Sequence, residues 1–187
     1  LNGHDPDSEL LTRIGRGDER AVREIVAARL PGVLALATRL LGDRMEAEDV
    51  AQEVFVRVWR HAARWQRGRA MFGTWLHVVT LNLCRDRLRR RRVIMPPQLP
   101  DVPDPAPLSD EALEEAEAAS AVSAAITALP GRQREAILLV HYQDMTNIAA
   151  AEAMEISVEA LESLLARGRR ALRRALVPGA EKEKSDE

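Results

Sequence analysis

Apolar residues recur along this chain at three- and four-residue spacings, and no stretch alternates long enough to make a strand. The pattern predicts helices throughout. Residues 8–16 form a short one, closed by Gly15 and Gly17. Asp18 is placed to cap a second that reaches about Leu30. Pro31 then opens a third, PGVLALATRLL, which Gly42 ends. Asp43 and Glu46 have the spacing of a capping box for a helix running to about Ala63. QRGRAMFG breaks the pattern, and a long helix is predicted from Thr74 to about Arg92.

The stretch PPQLPDVPDPAP interrupts everything before it from everything after. Its prolines forbid both helix and sheet, so it reads as an extended, acidic linker. Beyond it lies a helix through Leu113, Val122, Ile126 and Leu129, stopped by Pro130 and Gly131. RQREAILLVHY is the next, and Thr146 caps a short one, NIAAAEAM. Ser157 caps the last, which Pro178 and Gly179 end. The expected fold class is all-α: two small helical domains over 8–95 and 109–177, a linker over 96–108, and a disordered tail over 178–187.

Composition narrows the function. Hydrophobic residues make up 46% of the 187, enough for a core, and charged residues 30%. Cys84 is the only cysteine, so no internal disulfide can form, and a reducing, cytoplasmic location is expected. No Cys/His cluster has metal spacing. His4, His61, His77 and His141 are scattered, with no Ser/His/Asp grouping. No catalytic residue, metal, cofactor or small-molecule substrate is therefore expected. The opening LNGHDPDSE lacks the basic-then-apolar order of a signal peptide, and no run approaches a membrane span.

A net charge of -2 hides a partition. From Arg57 to Arg92 there are eleven arginines and one acid, Asp86, and all three tryptophans (Trp59, Trp65, Trp75) fall between 59 and 75. Guanidinium forks grip phosphates, and aromatic faces stack on exposed bases. The alternative is a set of core anchors followed by a solvated helix end. The helix before this segment has an apolar stripe of Ala47, Val50, Ala51, Val54 and Val58. Asp49, Gln52, Glu53 and Val56 fall on another face at i, i+3, i+4 and i+7. That face is either plain solvated surface or a protein contact.

Thr146–Met154, a tight turn and Ser157–Leu176 have the lengths of a helix-turn-helix. Ala149, Ala150 and Ala153 permit close crossing, Ile156 plugs the corner, and Leu161, Leu164, Leu165 and Leu172 face the core. Spacing alone leaves a plain helical hairpin equally open. A stand-alone helix-turn-helix regulator of duplex DNA is the competing reading of the whole chain, but it leaves the arginine–tryptophan segment unexplained.

LLTRIGRGDERAVREIV, EAEDVAQEVFVRVWR, FGTWLHVVTLNLCRDRLRRRR and LPGRQREAILLVHYQDMT together resemble an extracytoplasmic-function (group IV) sigma factor of bacterial RNA polymerase. The resemblance covers about Ser8 to Leu176. It implies a transcription initiation factor that binds core polymerase and helps melt the promoter. Asp49, Gln52, Glu53 and Val56 then lie on the helix that docks on the β′ clamp coiled coil. Trp75, Asn82, Arg85, Asp86 and Arg89 line the minus-10 strand. The linker threads toward the active-site cleft, and the last domain sits on the β flap and reads the minus-35 element. An anti-sigma partner, often membrane-anchored in this family, is implied too.

The last domain departs from the family pattern. Glu155 stands where a glycine is usual, Asp144 likewise, Glu162 where a lysine is usual and Leu164 where an arginine is usual. The residues expected to face minus-35 DNA are Ser157, Glu159, Glu162, Ser163, Arg167 and Arg170. A carboxylate there can accept from cytosine N4. Arg132, Arg134, Arg167, Arg169 and Arg170 are candidates to offset its charge near phosphates.

Overall fold

The computed structural model describes residues 5–65, 71–94 and 110–177. The expected linker and tail lie outside them. The described residues form eight helices and no strand: α1 (Ser8–Gly15), α2 (Glu19–Leu41), α3 (Arg44–Ala62), α4 (Phe72–Ile94), α5 (Asp110–Thr127), α6 (Gly131–His141), α7 (Asn147–Met154) and α8 (Val158–Leu176).

The starts are set by the caps expected. Asp18 accepts from the Arg20 and Ala21 N–H groups, Asp43 from Glu46 and Thr146 from Ala149. Ser157 accepts from Ala160. Each satisfies a donor that the first helical turn leaves unpaired. The expectation of two helices meeting at Pro31 is corrected, since α2 runs unbroken through it. A proline costs the helix one hydrogen bond. The helix survives because both halves bury side chains in one core: Ala21 and Ile25 before it, Val33, Leu36, Ala37 and Leu40 after it.

α1 to α4 pack on one another, with the α3 stripe of Ala47, Val50, Ala51, Val54 and Val58 wholly inside. α5 to α8 form a second group around Ile137, Leu138, Leu139, Leu161 and Leu165. Gly168 is buried where α8 crosses α6; a Cβ there would lie 3.0 Å from Ile137 Cγ1. The two groups also touch, through α4 against α7 and α2 against α5 and α6.

The turn of the helix-turn-helix shows how the chain manages without its glycine. Glu155 adopts φ 55°, ψ 47°, the left-handed conformation that closes many helices. Its N–H donates to the Glu152 carbonyl, and the Ile156 N–H to Ala151. Asp144 also has a positive φ, 51°. A Cβ in this region costs about 1 kcal/mol. Glu155→Gly removes that cost, partly offset by the freer unfolded chain. We expect a net gain of about 0.5 kcal/mol and a melting point raised by a few degrees. A lowered melting point would mean that the Glu155 side chain itself holds the turn.

Candidate polymerase and nucleic-acid interfaces

The stripe on α3 is built by subtraction. One face of the helix is consumed by the core, which leaves Asp49, Gln52 and Val56 exposed and Glu53 half-exposed on the other. Asp49 meets Arg87 of α4 at 3.3 Å, and Glu53 meets Arg57 one turn on at 2.7 Å. Both pairs are solvated, so neither carboxylate is tied down strongly. The sequence reading missed the next member. Trp59 lies three residues past Val56 and seven past Gln52, and it is 68% exposed. Its ring borders a shallow apolar groove with Val22, Val26, Gln52, Phe55 and Val56. The spacing was visible in the sequence, but the cluster of tryptophans masked it.

The other two tryptophans do something different. Trp65 and Trp75 belong to one aromatic cluster with Phe72 and His61. Trp75 stacks on Phe72 at 5.8 Å and meets Trp65 and His61 edge-on at 5.7 and 5.5 Å. Phe72 is fully buried and Trp75 half-buried. The long α4 then carries Asn82, Arg85, Asp86 and Arg89 along the same side as Trp75, at spacings of seven, ten, eleven and fourteen. Asn82 is exposed and accepts from Arg85 at 3.3 Å; Asp86 accepts from Arg89 at 2.9 Å.

Several arginines of the basic run have internal duties. Arg91 donates to Glu46 (2.9 Å) and to the Leu41 carbonyl (2.9 Å), and it lies 3.4 Å from Asp43. It ties the end of α2 and the start of α3 to the end of α4. Arg85 forks onto Glu135 of α6 at 3.0 and 2.7 Å. Beside it, Cys84 is buried, and that burial pushes its thiol up to about 12, so it stays protonated and unreactive at neutral pH.

On α8, Glu159, Glu162, Ser163, Arg167 and Arg170 are all exposed on the side away from Leu161 and Leu165. Ser157 is exposed, but its hydroxyl is already engaged as the cap of the helix. Its hydroxyl accepts the Ala160 N–H and donates to Glu159. That hydroxyl, with Glu159's own backbone N–H, holds the Glu159 carboxyl below the usual carboxylate range. Glu162 accepts from Asn147 of α7 at 3.4 Å, which fixes it across the turn. Of the cations expected to offset these acids, Arg167 and Arg170 are exposed, and Arg169 contacts His141 at 3.3 Å. Arg132 donates to the Met154 carbonyl at 3.0 Å. Arg134 is not available: it points into the protein, donating to the carbonyls of Leu40, Thr127 and Leu129. Among the described residues no helix is long and apolar enough to cross a membrane, and no His/Cys/Asp/Glu group is arranged to hold a metal.

Comparison with known proteins gives this surface a family. Residues 25–93 match Sigma-70 region 2, and residues 119–172 match Sigma-70, region 4. The RNA polymerase sigma-H factor of Pseudomonas aeruginosa is 31% identical over 186 residues, covering 92% of this chain and 94% of that one. The ECF RNA polymerase sigma factor SigE of Mycolicibacterium smegmatis is 32% identical over 84% of this chain, which spans 63% of that relative's length. Among solved structures, CnrH in complex with the cytosolic domain of CnrY superposes with a TM-score of 0.68 at 26% identity, over 91% of this chain and 96% of that one. The chain belongs to the sigma-70 family of RNA polymerase sigma factors, as one of its extracytoplasmic-function members.

Proposed function

We propose that this protein is a group IV sigma factor that docks on core RNA polymerase through α3, holds the melted minus-10 strand along α4 and places α8 on the minus-35 element. It does no chemistry of its own. It binds open promoter DNA better than duplex and so favours opening, while the polymerase makes RNA. The observation that carries the reading is the division of exposed surface. An acidic, aromatic-edged stripe on α3, a Trp/Asn/Arg stripe on α4 and a polar face on α8 are three separate faces with distinct chemistry.

Each face fits its partner. Asp49, Gln52, Glu53, Val56 and Trp59 combine charge with an apolar anchor, as a protein contact requires. The β′ clamp coiled coil is the partner for that face and the β flap the partner for the second domain. Trp75 offers a ring edge, Asn82 an amide, and Arg85 and Arg89 their forks to an unpaired strand. Glu159 and Glu162 place carboxyl acceptors at the entrance of α8. They suit cytosine N4, with Arg167 and Arg170 further along on phosphates. The minus-35 element is thus expected to carry cytosine where a basic helix would select guanine. The similar CnrH was solved in complex with the cytosolic domain of a second protein, CnrY, which fits regulation of this chain by an anti-sigma partner of the kind the family resemblance implies.

The decisive experiment is run-off transcription with purified core polymerase on DNA from upstream of the protein's own gene. Initiation that depends on the added chain is expected. Footprinting of the same complex should show protection upstream as well as at minus-10. No initiation from any such template would sink the sigma reading; initiation without upstream protection would remove the α8 assignment alone.

A further inference from the structure

The two helical groups are held together by contacts that consume a residue needed for DNA. Arg85 of α4 presents both ends of its fork to Glu135 of α6, at 3.0 and 2.7 Å. The Glu135 side chain is only 8% exposed. Around this pair lie four more links. His77 of α4 and Gln143, just past α6, meet at 3.0 Å, and Gln143 donates to the Gly32 carbonyl of α2. Arg134 of α6 donates to the Leu40 carbonyl of α2. Arg39 of α2 lies over the Tyr142 ring, 4.6 Å from its centre. His77 is held neutral, because burial pushes its imidazole below the usual range. Its Nε2 donates, because the Gln143 Oε1 it meets can only accept.

We propose that this is an autoinhibitory clasp: the Glu135 carboxylate occupies the Arg85 fork in place of a promoter phosphate, so that domain closure and minus-10 strand binding exclude each other. A carboxylate and a phosphate offer a guanidinium the same pair of parallel acceptors. One fork cannot serve both. The rest of the DNA and polymerase surface stays open in this state. Asp49, Gln52, Val56 and Trp59 on α3 are exposed, as are Glu159, Glu162, Arg167 and Arg170 on α8. The closed protein can thus be engaged by polymerase before it can hold a melted strand.

The clasp is built to let go. A buried ion pair gains little over its desolvation, so it closes without locking. Removing one partner from such a pair is ordinarily costly, since the other is left unpaired. Here Arg132, on the same helix as Glu135, also reaches its carboxylate at 3.2 Å. Glu135 keeps a partner when Arg85 leaves, and the cost of opening is correspondingly small.

The proposal rests on the assignment of Arg85 to the minus-10 strand, and the test separates the two. The full chain, free in solution, is titrated with a short fluorescent single-stranded DNA of random sequence, and its radius of gyration is measured by small-angle X-ray scattering. Glu135→Gln keeps the shape of the side chain and removes its charge. It is expected to enlarge the particle and tighten strand binding roughly tenfold. Gln143→Ala, which touches no residue of the DNA face, should shift both readouts the same way, and it serves if Glu135→Gln folds poorly. In holoenzyme, where the domains are spread over the polymerase, both variants should open promoters like the parent. Unchanged size and unchanged strand affinity in both variants would overturn the clasp. Arg85→Ala holoenzyme that opens promoters normally would overturn the minus-10 assignment and the competition with it. Arg85→Ala holoenzyme that fails to open them, beside inert Glu135 and Gln143 variants, leaves the assignment standing and removes only the clasp.

Discussion

Asp49→Arg is expected to weaken binding to core RNA polymerase about a hundredfold and to leave the fold intact. The side chain is 61% exposed, and its one ion pair, with Arg87 at 3.3 Å, lies at the surface. Exposed pairs of this kind contribute less than about 1 kcal/mol, so the melting point should barely move. Binding is another matter. Asp49 shares its face with Gln52, Glu53, Val56 and Trp59, and a reversal there replaces attraction by repulsion against any partner that the acids attract. The loss should shrink as salt is raised, because the interaction is screened. Trp59→Ala tests the same face through its apolar member. Its loss should be comparable, since buried tryptophans dominate many interfaces, but insensitive to salt. Fluorescence titration of each variant against core polymerase, at low and high salt, reads both effects. Parental affinity in Asp49→Arg would refute the docking assignment, and a matching fall in melting point would assign Asp49 to folding instead.

Much of this arrangement is legible in the sequence because it depends on short-range rules. Asp18, Asp43, Thr146 and Ser157 each cap the helix they precede, since a cap needs only its own first turn. The buried stripe of α3 follows from helical period alone. Pro31 misled for the opposite reason. Its local preference for a helix start is real, yet the shared core on both sides of it keeps α2 continuous. Glu155, which stands where the family pattern has a glycine, departs from that pattern in side chain alone, since the backbone keeps the left-handed geometry.

The long-range pairings were not legible. Nothing near Arg85, Arg91 or Arg134 in the sequence says that one meets a carboxylate fifty residues on, one knots the α2–α3 corner and one is turned inward. An arginine run looks uniformly basic until the partners are placed. The eleven-to-one ratio between Arg57 and Arg92 therefore overstates the charge available for DNA. Arg57, Arg85, Arg87, Arg89 and Arg91 all have carboxylate partners within the protein. Under the proposed minus-10 role, selectivity on α4 leans on groups less tied to carboxylates, and exposed Asn82 and half-exposed Trp75 are the foremost of these.

Asn82→Ala and Trp75→Ala should accordingly part company. Asn82 is exposed and holds only a 3.3 Å contact from Arg85, so its loss should change stability by less than about 0.5 kcal/mol. Promoter opening should fall at least tenfold at unchanged core affinity, because an amide that meets a base is missed only once the strand is out. Trp75 serves two roles at once. Half of it is built into the cluster with Phe72, Trp65 and His61, where each aromatic pair adds about 1 kcal/mol beyond burial. Its removal also leaves a cavity, for a total near 3 kcal/mol. The variant should melt early and open promoters poorly, and the two defects cannot be separated in it. Trp75→Phe separates them: it keeps an aromatic ring in the cluster and shortens the edge offered to a base. Potassium permanganate footprinting of open complexes, read beside melting curves, gives both quantities. Normal opening by Asn82→Ala would take position 82 off the DNA face. Normal opening by Trp75→Phe would make Trp75 a core residue only, since an exposed ring surface that meets a base, worth about 1–3 kcal/mol where it stacks, cannot be trimmed without effect.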